Sequence, residues 1–343
     1  MEKVDLYRYE LTGLLGSGAD YEVRSAIDRE TGDAVVIKRP VPQMISRKMH
    51  GPVDERTERT IHLHGELANG IPGVCPMVGH AELANHDGFF GDSLEQEYRV
   101  TISQRAAGIP LVGDPMARIL RVPIGAGQNL FCLHPLCFSA DDDQFPVQRQ
   151  ILDAQERFHA AGYVLLDLGP QNIFFSPGQR TISIIDPGAL LTAESDRTPG
   201  SRGPQDIHDF YLEMLKFYCV PEAPPSDVAG YRDPVNLRPV VNFQQEIDEL
   251  SHRVTSSPDS SVEMKDAWSG MAARVRNREY QGYSEFKADY LDYLEALRQR
   301  NGNRPDLDRA SEIWKQATEL LYEDHWKKYD FDAISELAGF KDF

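Results

Sequence analysis

Three short runs near the start of the chain carry the apolar and β-favouring pattern of strands: Tyr9 to Leu15, Tyr21 to Ile27 and Ala34 to Lys38. Gly16-Ser17-Gly18 and Glu30-Thr31-Gly32-Asp33 separate them with turn chemistry. A helical pattern follows around Asp54 to Asn69 and is stopped by Gly70-Ile71-Pro72-Gly73. Another strand-like run, Tyr98 to Gln104, leads into Ala106-Ala107-Gly108-Ile109-Pro110, which reads as a link to a larger helical part. There, Val147 to Ala161 is predicted as a helix closed by Gly162, and the chain is helical from about 206 onward. Phe286, Tyr290, Tyr293, Leu294 and Leu297 recur at helical spacing, as do Ile313, Ala317, Leu320 and Leu321, and both stripes read as core. Residues 112–146, with the acidic run Asp141-Asp142-Asp143, show no clear period. The expected division is therefore 1–105, β-rich; 106–300, helical; and 301–343, a helical extension.

Composition narrows the picture without supplying a function. At 343 residues, 41% hydrophobic and 26% charged, the chain can bury a sizeable core. A net charge of −18 argues against a nucleic-acid partner, whose phosphates would be repelled. No apolar run approaches the roughly 20 residues that span a bilayer, and Met1-Glu2-Lys3-Val4-Asp5 does not resemble a signal peptide, so no membrane partner and a cytoplasmic location are expected. The cysteines Cys75, Cys132, Cys137 and Cys219 are too scattered for a disulfide framework. Cys132, His134 and Cys137 lack a second ligand pair at zinc spacing, and read as thiols in an apolar loop.

Chemistry enters with Leu165-Leu166-Asp167-Leu168-Gly169-Pro170-Gln171-Asn172 and, beyond it, Ile184-Ile185-Asp186-Pro187-Gly188. Phosphoryl transfer from a nucleotide needs a carboxylate to orient the attacking hydroxyl, with an amide and a second carboxylate to hold metal ions. Asp167, Asn172 and Asp186 are of those types, in that order. Upstream, Gly16-Ser17-Gly18-Ala19-Asp20-Tyr21-Glu22-Val23 places glycines where backbone amides can approach phosphate oxygens. Val35-Val36-Ile37-Lys38 ends an apolar strand on a lysine whose charge must find a partner.

Taken in order, these motifs resemble the protein kinase superfamily over about residues 9 to 217, as a divergent Ser/Thr kinase-like chain. The resemblance implies an α+β, two-lobed fold, with a small β-rich lobe and a larger helical one, binding ATP and Mg2+. It implies nucleotide contacts from Gly16, Ser17, Gly18, Val23, Val36 and Lys38, and from the hinge at Gln104 and Ala106. Lys38 would contact the α- and β-phosphates and pair with a helix glutamate, Glu58, with Glu55 as the reserve. Asp167 would be the base, Asn172 and Asp186 the metal ligands, and Asp206 a buttress opening the helix under the catalytic loop.

The departures are Tyr21 for the third glycine, Leu165-Leu166 for the usual His-Arg, Gly169 for a lysine, Pro187 for phenylalanine, and a short stretch from Asp186 to Asp206 without Ala-Pro-Glu. Three functions stay open: a protein kinase, a kinase-like enzyme acting on a small molecule, and a pseudokinase. The hydroxyl substrate is unknown. Leu166 cannot receive an activating phosphate, so Thr192, Ser195, Thr198 and Ser201 read as solubilising residues, and Arg197 and Arg202 as local.

Overall fold

The structure, a computed structural model, describes residues 1–110, 145–169, 172–176, 179–187, 190–192, 206–218, 240, 242–258 and 260–301. Cys132, His134, Cys137, Cys219, Gly188, Ser195, Arg197, Thr198, Ser201, Arg202, the stripe from Ile313 to Leu321 and all but the first residue of the expected extension 301–343 lie outside the described residues. The architecture is α+β, in two compact units: Met1–Ala106 with Ile185–Gly188, and Ala107–Ile184 with Ala189–Phe343.

In the first unit, β1 (Tyr9–Ser17), β2 (Tyr21–Asp28), β3 (Ala34–Pro40), β4 (Met77–Asn85) and β5 (Glu97–Gln104) form an antiparallel sheet in the order β1-β2-β3-β5-β4. Strand periodicity sorts β3 between two faces. Val35 and Ile37 are buried with Leu6, Tyr9, Ala26, Tyr98, Val100 and Ile102, while Val36 and Lys38 take the opposite face and are half-buried. Burial of each such aliphatic side chain contributes roughly 1.5–3 kcal/mol. Strand β4 has no sequence-level signal because Met-Val-Gly-His-Ala-Glu-Leu-Ala-Asn carries one β-branched residue. It forms because β5 gives it a ladder and the N-terminus covers its outer edge, through Val4 N–H to His80 O and His80 N–H to Glu2 O, each 3.0 Å. A side chain at Gly79 would collide with Val4.

The short helix α1 (Pro42–Ser46) precedes α2 (Gly51–Glu66), and α3 (Asp87–Phe90) lies between β4 and β5. Helix α2 starts earlier than its polarity pattern suggests, because Pro52 is tolerated in a first turn that needs no N–H. Val53, Thr57, Ile61 and His64 are buried along one stripe, and Glu55, Glu58, Arg59, His62 and Glu66 are exposed.

In the second unit, β6 (Ile109–Pro110) pairs with β8 (Ile173–Ser176), and β8 with β9 (Thr181–Ile184); β7 (Tyr163–Leu165) pairs with β10 (Leu190–Thr192). Gly108 (φ +83) passes so close to the Phe175 carbonyl that a Cβ would meet its oxygen at 2.1 Å. Helix α4 (Pro146–Ala160) buries Val147, Ile151, Leu152, Gln155 and Phe158. Helix α5 (Ile207–Tyr218) is buried on every side from His208 to Tyr218, as a central helix is. Around it pack α6 (Phe243–Ser256), α7 (Val262–Arg276) and α8 (Tyr283–Asn301). The aromatic stripe of α8 is core: Phe286 stacks on Tyr211 at 3.9 Å, and Tyr293 meets Trp268 at 5.2 Å. Among the described residues no helix is long and apolar enough to cross a membrane.

Candidate functional site

Lys38 reaches its position because β3 alternates, and Val23 stands directly opposite it on β2. Val23, Val36 and Lys38 therefore share the sheet face turned away from the apolar core. The turn between β1 and β2 is tighter than the glycine pattern implies. Gly16 and Ser17 are already in register with Val23 and Glu22, and Gly18 N–H closes the turn on Tyr21 O at 2.9 Å.

The Lys38 ammonium lies 2.7 Å from Asp186 Oδ2, with both side chains partly exposed. Its other neighbour is the Tyr21 ring, whose centroid is 4.2 Å from Nζ. The pairing with Glu58 expected from sequence is not made. Glu58 is an exposed residue of α2 whose Oε1 accepts from Arg99 Nη2 at 3.1 Å, and Arg99 also pairs with Asp54. Glu55, the reserve, is exposed as well. The stripe of α2 that is buried presents Thr57, 2.8 Å from the Tyr21 hydroxyl. One turn and more beyond it, burial lowers the pKa of His64, with Asn69 Oδ1 2.7 Å from its Nδ1 opposing that effect.

At the hinge, both backbone groups of Gln104 are engaged within the unit. Its N–H donates to Pro76 O at 2.9 Å, and its carbonyl accepts from Cys75 Sγ at 3.1 Å. Burial pushes the Cys75 thiol up to about 11, so it remains a donor. Ala106, two residues on, has no such engagement among the described residues. Gln104 thus has a structural role in the strand.

Within the second unit, the segment carrying Asp167 is fixed from several directions. Leu165, Leu166 and Leu168 are buried, which gives these leucines a packing role on either side of Asp167. Asp167 itself adopts a left-handed backbone (φ +61), a conformation that costs a non-glycine residue of order 1 kcal/mol and must be imposed by its surroundings. Those surroundings are explicit. Leu165 N–H donates to Gln155 Oε1 at 2.7 Å, Leu168 N–H to Glu213 Oε2 at 3.0 Å, and Tyr218 Oη–H to Leu168 O at 2.6 Å. Asn172 Nδ2 donates to Asp167 O at 3.0 Å and Asn172 N–H to Gly169 O at 2.8 Å.

Helix α5 supplies this frame. Burial pushes Glu213 up to about 8, and the nearby charge of Asp167 acts in the same sense, against the Leu168 and Val240 N–H groups and Lys216. At the start of the helix, Asp206 Oδ1 accepts from His208 N–H at 2.7 Å and pairs with Arg278, which also reaches Asp209. Burial alone would raise Asp206; its bonds to His208 and the Arg278 charge outweigh that and bring it to about 2. Glu213, Tyr218, Gln155, Tyr21 and Thr57 were not singled out from the sequence as site residues. An acid inside the otherwise apolar run Phe210 to Leu215 was the available signal for Glu213.

Asn172 spends its amide nitrogen on Asp167 O, and its carbonyl oxygen makes no hydrogen bond among the described residues. Asp186, in the first unit, carries carboxylate oxygens, and each of the two residues by itself has an oxygen of the type that Mg2+ takes.

No family model matches the chain. No curated protein matches it either. Among solved structures it is similar to the kinase domain of Mycobacterium tuberculosis PknI, with 15% identity over 87% of this chain and 98% of that one and a TM-score of 0.49. A likeness at this level says nothing of activity.

Proposed function

We propose that the chain is an ATP-dependent phosphotransferase of protein kinase type, moving the γ-phosphate to a Ser/Thr-like hydroxyl of a protein or a small molecule. The observation that carries this reading is the 2.7 Å contact of Lys38 Nζ with Asp186 Oδ2, between residues 148 positions apart. A strand-end lysine and a carboxylate after an apolar strand have no packing reason to meet. Phosphate binding beside a metal ligand gives one.

In this reading Lys38 neutralises the α- and β-phosphates, and Ala106 offers its backbone to the adenine edge. Asp186 and Asn172 would hold Mg2+, which would supply positive charge to neutralise the phosphate oxygens. Asp167 takes the proton of the acceptor hydroxyl as its oxygen forms the bond to the γ-phosphorus; the bond to the bridging oxygen breaks and ADP leaves. Gln155, Glu213, Tyr218 and Asn172 brace the backbone on either side of Asp167.

A second reading, a nucleotide-binding or scaffolding module without transfer, is favoured by one observation: Glu58 serves Arg99 and not Lys38. Binding separates either reading from a fold that merely retains the motifs. Mg2+ with ATP should raise the melting temperature, as any ligand of the folded state must, and Asp186→Asn should reduce that rise. Folded protein that shows no shift at millimolar nucleotide overturns the phosphotransferase and the nucleotide-binding module alike, and leaves the scaffold.

A further inference from the structure

We propose that Tyr21 is a positioning residue for Lys38 and links it to α2, the task that a helix carboxylate was expected to perform. The proposal rests on the nucleotide-site reading of Lys38.

Tyr21 and Lys38 lie on the same sheet face, since Val23 is paired with Lys38 and Tyr21 with Pro40. The Lys38 ammonium sits 4.2 Å from the Tyr21 ring centroid, within range of attraction to the negative ring face. The other end of the same side chain reaches α2, with its hydroxyl 2.8 Å from Thr57 Oγ1 and donating to Val53 O at 3.1 Å. Thr57 is buried at 3% exposure, on the stripe of the helix that faces inward.

The carboxylates of α2 are engaged elsewhere or exposed. Asp54 and Glu58 pair with Arg99, Glu66 with His62, and Glu55 is exposed. The turn that carries Tyr21 is tied to the same helix by a second bond, Arg56 Nη2 to Asp20 Oδ2 at 2.6 Å. A displacement of α2 therefore moves the ring that seats the ammonium. An aromatic residue in place of the third glycine is on this account a part of the site and not an obstruction of it.

Two variants divide the link. Tyr21→Phe keeps the ring and removes the bond to α2; Tyr21→Leu removes both. In nucleotide-free protein, amide exchange over residues 51–60 should rise several-fold in Tyr21→Phe. With Mg2+ and ATP, Tyr21→Phe should keep the nucleotide Kd within about two-fold and lower kcat. Tyr21→Leu should raise Kd by about ten-fold, the scale of a partly desolvated cation on a ring. If wild-type protein binds no Mg2+ with ATP, the functional reading fails, and the link is then judged on exchange alone. Unchanged exchange in Tyr21→Phe, or a Tyr21→Leu protein that binds nucleotide as tightly as wild type or more so, overturns the proposal. Should Tyr21→Leu fail to fold, the exchange and the kcat of Tyr21→Phe decide.

Discussion

Glu213 is the residue whose perturbation has the most definite sign. Its carboxyl is buried, takes the Leu168 N–H at 3.0 Å, and is pushed by burial from an ordinary 4.5 to about 8. Between those two values the folded chain holds a proton that the unfolded chain releases. For an acid whose pKa is raised by folding, stability is greatest below the unfolded value and is lost as pH rises towards the folded one. The slope is about 1.4 kcal/mol per pH unit, and across the window the loss approaches about 5 kcal/mol. Glu213→Gln keeps an acceptor for Leu168 N–H and cannot titrate. Urea unfolding of both proteins at pH 5.5, 6.5 and 7.5 should therefore show the variant gaining on wild type by about 1.4 kcal/mol for each unit. Parallel stability profiles would mean that Glu213 is ionised throughout, and the assignment of a neutral acid beneath Asp167 would be wrong. Glu213→Ala should behave differently, leaving a buried N–H unpaired at a cost of roughly 1–3 kcal/mol at every pH.

Asp167→Asn should keep the nucleotide Kd and lower turnover by about 10²–10⁴-fold, the range for loss of a general base, as read by steady-state rates beside calorimetric binding. Asp186→Asn should weaken nucleotide binding in Mg2+ far more than in EDTA, which titration calorimetry with and without the metal resolves. Tyr218→Phe removes the bond to Leu168 O and should cost about 1 kcal/mol in stability, together with some turnover, since that peptide follows Asp167. Joint replacement of Thr192, Ser195, Thr198 and Ser201 by alanine should leave specific activity within a few-fold; a larger loss restored by an acidic residue at one of them would show a phosphorylation switch.

The first three strands were legible because their signal is local. The run Val35-Val36-Ile37-Lys38 can be read without knowing what packs on it. Strand β4 could not be read this way, since its stability comes from β5 and from the N-terminal residues on its edge. The lysine's helix partner was misjudged for a question of phase. Glu58 follows the buried Thr57 by one position, which turns it about 100° around the helix, towards Arg99. The spacing Val53, Thr57, Ile61, His64 contained that answer, but a polar threonine and histidine on the buried stripe hid it. The bonds of Gln104 were illegible for a related reason: they are made by its backbone groups, and sequence does not say that Pro76 and Cys75 meet them. Glu213 and Tyr218 act on a loop some 45 to 50 positions earlier, a distance that no local pattern spans.

Transfer itself is the most direct test of the central claim. Wild-type protein and Asp167→Asn, both shown to be folded and to bind nucleotide, are incubated with γ-labelled ATP and Mg2+. Each is given in turn no acceptor, generic protein acceptors and a pool of small hydroxyl compounds. The account predicts label on a protein or small-molecule hydroxyl with wild type, and its loss with Asp167→Asn. Nucleotide bound by both proteins with no label moved to any acceptor, or equal transfer by the two, would contradict it.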